Sequence, residues 1–236
     1  MPAPTSPSPP ARSAGSRTNR KARCGDRLRR TGAIGVVVEI AMSGGGVDHI
    51  RAALQDHGLS DVAAQAAVRA GAALRARTEE HGAEFAAFLD ADSGRRVGRV
   101  LGGTASEVDV GPRLRAMRTG REYVAMHTHP NPASFTDADA DADAALFLMF
   151  PRIRVAAVVG PAGTWYILSI ASGQTRPNPV TVAQALHAEL AALKPSYLAR
   201  VQVGAMTGRE ALGELTHRAW IQVADRFELR YDRLGL

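Results

Sequence analysis

Residues 122–150 read "EYVAMHTHPNPASFTDADADADAALFLMF". The apolar run from Tyr123 to Met126 ends in His127-Thr128-His129, and Pro130 stops it. On a strand, side chains i and i+2 share a face. His127 and His129 therefore project together, with Tyr123 and Ala125 behind them, while Val124, Met126 and Thr128 face the other way. Two imidazoles so spaced can bring nitrogens about 3 Å apart around a tetrahedral zinc, which takes histidine nitrogen at roughly 2.0–2.1 Å. An isolated His-x-His is also what a wet strand end looks like. The downstream segment separates the two cases. A catalytic zinc takes three protein ligands and keeps one position open for water. In Thr136-Asp137-Ala138-Asp139, Thr136 reads as the N-cap of a helix and Asp139 as its third residue, within reach of the histidine pair. Asp137, Asp139, Asp141 and Asp143 also favour a helix start through its dipole, so most of them read as solvated. A calcium loop is a poor match: "DADADADA" has no glycine at loop position six and no glutamate at position twelve.

Working outward, the flanks decide the fold class. Val47, Ile50, Ala53 and Leu54 have helical spacing, with Gly58 as a stop. Ser60 can cap a second helix that ends near His81–Gly82. The period then changes. "AEFAAFLDAD", "RRVGRVLGG" and "ASEVDV" predict short strands, with "DADSG" as a hairpin turn. "PRLRAMRTG" predicts a short helix, "EYVAMHTH" a strand, "DADAALFLMF" a helix and "RIRVAAVVG-PAG-TWYILSI" a hairpin. Pro177 and Pro179 mark a linker before two helices, the second opening with a Thr207-x-x-Glu210 capping box. The sum is an α+β protein of mixed α/β layers, without the regular βαβ alternation or the GxGxxG of a dinucleotide fold.

Composition narrows the function classes. The chain has 236 residues and one cysteine, Cys24, which excludes a disulfide framework and a thiolate zinc cage and suits a cytoplasmic location. The net charge of +6 suggests nucleic acid until it is located. Residues 1–41 hold eight basic and two acidic groups, leaving 21 of each sign in the rest. The core therefore has no bias toward phosphate. The segment 1–41 reads as a disordered basic tail, with an export signal and a native start at Met42 as alternatives. Glu39 interrupts its apolar stretch, which is too short to span a bilayer, so no membrane partner is expected.

"HTHPNPASFTDAD" resembles the metal motif of the JAB/MPN (JAMM) family of zinc metalloproteases, whose pattern is His-x-His-Pro, a loop, then Ser-x-x-Asp. The resemblance covers roughly residues 82–170. It implies a cytidine-deaminase-like sheet flanked by helices, Zn2+ held by His127, His129 and Asp139, and a catalytic glutamate on an earlier strand. "EFAAFLDADSGRRVGRVLGG" resembles the opening of prokaryotic members, which picks Glu84; Glu79, Glu80 and Glu107 are the other candidates. Thr136 stands where the family has serine, and the loop to Asp139 is one residue shorter than usual. Ser134-x-x-Asp137 is the competing register. The implied organisation is a tail (1–41), a helical N-terminal segment (42–81), a zinc domain (82–172), and a linker with a helical C-terminal extension (173–236). The implied activity is hydrolysis of a peptide or isopeptide bond by a zinc-activated water. In it Glu84 moves the proton and Thr136 steadies the oxyanion. Protein or peptide substrates, ubiquitin-like proteins among them, are the expected partners. A non-catalytic MPN-like scaffold in a phage or multiprotein assembly is the alternative, and nucleic-acid binding through the tail is a weaker third. A zinc deaminase would need a Pro-Cys-x-x-Cys that the chain lacks. His49, His57, His81, His187 and His217 read as packing or surface residues.

Overall fold

The computed structural model describes residues 44–135, 147–171 and 173–235. Helix α1 (Gly44–Asp56) and helix α2 (Asp61–His81) come first. Ser60 caps α2 by accepting from Ala63 N at 3.1 Å, and Gly82 ends it in the left-handed region at φ 63°. Both signals were present in the sequence.

Six strands follow: β1 (Phe85–Asp90), β2 (Leu101–Gly102), β3 (Tyr123–Thr128), β4 (Ile153–Val159), β5 (Trp165–Ile170) and, at the chain end, β6 (Leu229–Leu234). They form one sheet in the order β2-β1-β3-β4-β5-β6. Only β3 and β4 run parallel, and every other neighbouring pair is antiparallel. The short helix α3 (Gly111–Arg115) precedes β3, while α4 (Pro179–Gln202) and α5 (Gly208–Arg226) lie between β5 and β6. The described residues belong to one compact unit.

Alternation along the strands assigns the two faces. Ala87, Leu89, Val124, Met126, Val155, Ala157, Trp165 and Ile167 pack with Ile50, Leu54 and Leu74 of α1 and α2. Their sequence neighbours Phe88, Tyr123, Ala125, Ala156, Val158, Tyr166 and Leu168 pack with Leu186, Trp220 and Val223 of α4 and α5. A sheet covered on both faces needs strands that are apolar almost throughout, which is how "RVAAVVG" and "TWYILSI" read. The protein is thus a mixed α+β layered structure. Among the described residues no helix is long and apolar enough to cross a membrane.

Four expectations need correction. "ASEVDV" is not a strand: Glu107 O accepts from Thr104 N at 2.7 Å, which closes a turn there rather than a ladder. "RRVGRVLGG" yields only β2 and a single bridge from Arg96 to Leu89, because Gly98 at φ 75° breaks it. Pro179 is not linker; it occupies the first turn of α4, where a missing N–H costs nothing, behind the cap Asn178. The C-terminal extension is not wholly helical, since β6 pairs along all of β5. The predicted turn at "DADSG" is present. Asp90 accepts from Ser93 N at 2.9 Å, Ser93 Oγ at 2.7 Å and Arg121 Nη1 at 2.9 Å. The Ser93 bonds, helped by Arg121, hold its carboxyl at about 2, below the usual 3.8. Of the helix expected over "DADAALFLMF", residues 147–149 are helical and the rest lies outside the described residues.

Candidate functional site

β3 carries the histidine pair to its carboxyl end. There it runs beside β4 in the parallel sense, an edge at which open sheets commonly hold ligands. His127 Nε2 and His129 Nε2 lie 2.9 Å apart, with the rings tilted by 60°. His129 is buried, and its Nδ1 is 3.1 Å from Ala133 O. A carbonyl only accepts, so Nδ1 carries the hydrogen and Nε2 presents its lone pair toward His127. Two bare lone pairs would repel at 2.9 Å; the geometry is satisfied by a proton on His127 Nε2 or by a cation shared between the nitrogens.

β1 brings the acid. Its antiparallel register pairs Ala86 with His127, and continuing two residues sets Glu84 opposite His129 on the same face. Glu84 is buried, with Oε1 3.8 Å from His129 Nε2. Thr128, on the opposite face, locks this end of the pair: its hydroxyl meets Thr78 of α2 and accepts from Phe85 N at 3.0 Å. The Glu84 backbone is held as well, donating to Thr104 O and accepting from Gly103 N at 2.9 Å. Glu107 and Glu80 are exposed, and Glu79 is paired with Arg75 at 3.3 Å.

The loop after His129 is pinned from several sides. Arg209 of α5 donates to Pro130 O at 3.0 Å and Tyr166 of β5 to Pro132 O at 2.9 Å. Burial raises the Tyr166 phenol, which keeps it protonated and able to donate. Ser134 N donates to Thr216 Oγ1 at 3.1 Å, and Ser134 Oγ lies 3.1 Å from Tyr231 Oη. These supports come from α5, β5 and β6, remote in sequence from the motif, and no local pattern announced them. For β6 a signal existed in the alternation Leu229, Arg230, Tyr231, Asp232, Arg233, Leu234.

The structure thus brings Glu84, His127 and His129 together. Thr136 and Asp139, and Asp137 of the competing register, lie outside the described residues. Among the described residues no group of three His, Cys, Asp or Glu side chains is arranged to hold one metal ion. Searches of family models, curated proteins and solved structures gave no match to this chain.

Proposed function

We propose that the chain is a zinc-dependent metallopeptidase of the JAMM type, with a JAB/MPN-like fold, acting on a peptide or isopeptide bond. One observation carries the reading: two histidine nitrogens 2.9 Å apart beside a buried carboxylate, at the carboxyl end of a strand. The donor chemistry fits zinc, which binds neutral imidazole nitrogen and carboxylate oxygen. His127 and His129 would hold it, with Asp139 as the acidic ligand that the resemblance supplies. When bound, the ion is a Lewis acid that acidifies water and polarises a carbonyl.

The chain's own residues do the rest. The Ala133 carbonyl fixes His129 in the tautomer whose Nε2 is a ligand, a role that outer-shell acceptors commonly play. Glu84 accepts a proton at its carboxylate from the attacking water and returns it to the leaving nitrogen. Its position across from His129, with Oε1 3.8 Å from His129 Nε2, suits that task. Thr136 takes the place of the family's serine in steadying the oxyanion.

The test is zinc per chain on the full-length protein, measured by plasma mass spectrometry. Roughly one zinc is expected in wild type and in Glu84→Gln, and little in His127→Ala. A wild type that stays metal-free after reconstitution would return the chain to the non-catalytic scaffold reading.

A further inference from the structure

A cleft of about 550 Å³ opens behind the loop that anchors His129. That volume is in the range of sites that take small ligands. Pro132, one residue before the carbonyl that orients His129, forms one wall. Pro161 and Thr164 of the β4–β5 connection line it too, with Arg200 of α4, Met206 of the following connection, Arg209 of α5 and Arg233 of β6.

The charges in this cleft are unevenly committed. Its two carboxylates are occupied: Glu210 accepts from Thr207 N at 2.7 Å and Thr207 Oγ1 at 2.9 Å, and Glu214 is paired with Arg233. Arg209 spends one N–H on Pro130 O, and Arg200 Cζ stands 5.6 Å from the Tyr197 ring. Among the described residues neither guanidinium is paired with a carboxylate. A guanidinium has five donors in a planar fork that matches a carboxylate. The two resident glutamates disfavour a dianion such as phosphate, so a singly charged carboxylate is the better fit. Gly213 keeps the junction between cleft and loop open, since a Cβ there would stand 3.1 Å from Pro132 O.

We propose that this cleft binds a carboxylate carried by an extended peptide, through Arg200 and Arg209. The carboxylate is either an acidic side chain or a chain terminus. That the carboxylate arrives on a peptide, and the cleft's role as a substrate subsite, rest on the metallopeptidase reading; the binding of a carboxylate does not. The cleft and His129 share the 130–133 loop, through Arg209 on Pro130 O and His129 on Ala133 O.

Fluorescence anisotropy on the full-length protein tests this with three labelled peptides of equal length. One is neutral with a free C-terminal carboxylate, one is amidated with internal Asp and Glu, and one is neutral and amidated. One carboxylate-bearing peptide should bind, more weakly as salt rises, and which one it is identifies the source. Arg200→Glu and Arg209→Gln should each weaken binding roughly tenfold. Arg95→Glu, exposed on the β1 turn, should not. Arg200 is itself exposed, so its variant should fold even if Arg209→Gln disturbs the loop. Equal binding of the neutral amidated peptide, absence of all binding, or an unaffected Arg200→Glu overturns the proposal. Peptide binding by a protein that takes up no zinc would remove the metallopeptidase reading and leave the cleft standing; zinc uptake without peptide binding would do the reverse.

Discussion

His57 stands at the end of α1 and faces two partners: Asp232 Oδ2 is 2.9 Å from its Nε2, and Ser169 Oγ is 2.6 Å from its Nδ1. The carboxylate must accept, so Nε2 carries the hydrogen and Nδ1 accepts from the serine. Ser169 and His57 are both buried, which makes the trio a clamp between α1, β5 and β6. Burial lowers the His57 pKa, with Asp232 opposing, and His217 is lowered for the same primary reason. The sign follows from linkage. A neutral histidine favoured in the fold gives stability that is complete above the unfolded value, near 6.5. It is lost as pH falls through that value toward the folded one, by at most about 1.4 kcal/mol per pH unit for each proton. Thermal unfolding from pH 7.5 to 5.5 should show stability falling, with a shallower fall in His57→Gln. Equal slopes in both proteins would mean that His57 does not titrate differently on folding.

At the scale of elements, Gly71 in the middle of α2 illustrates tertiary packing overriding local preference. Glycine costs a helix about 1 kcal/mol relative to alanine. A Cβ at Gly71, however, would overlap the Trp165 indole of β5 and stand 3.2 Å from Val159 Cγ2. Trp165 is buried and paired on both sides, so it has little room to move. Gly71→Ala should therefore be destabilising by a net of roughly 1–2 kcal/mol, the overpacking cost exceeding the propensity gain. Urea unfolding measures this, and a stabilised variant would refute it. The helix and turn signals that proved readable, Ser60, Gly82, Asp90 and Thr207, all act through bonds to residues a few positions away. The failures at "ASEVDV" and "RRVGRVLGG" share one cause: whether a short polar strand forms depends on the partner ladder offered to it.

At the scale of the whole molecule, β6 covers β5 and is itself the outer strand of the sheet. Without β6 the β5 edge would lie bare, a row of unpaired backbone groups beside an apolar face. β6 also places Tyr231, whose hydroxyl lies 3.1 Å from both Ser134 Oγ and His217 Nδ1 and whose ring stacks on Trp220. Burial pushes its phenol up, so it stays a neutral bridge between the loop and α5. Removing residues 228–236 should cost more than about 5 kcal/mol, on the order of a domain's entire stability. Size-exclusion chromatography and thermal unfolding should show association and no cooperative transition. A sharp transition and a single monodisperse species in the shortened chain would make β6 an accessory.

By itself the sequence determined the layered class, the helix caps at Ser60 and Thr207 and the shared face of His127 and His129, because periodicity and capping are local properties. It could also nominate Glu84, but only alongside Glu79, Glu80 and Glu107, since a glutamate near a strand end has no local mark of its partner. The tertiary structure decided that Glu84 stands opposite His129, because strand register is fixed by turns and by burial of both sheet faces. It likewise decided that a loop carrying Pro130, Pro132 and Ser134 is held by Arg209, Tyr166 and Tyr231. These contacts span up to 97 positions and exist only once helices and strands have packed.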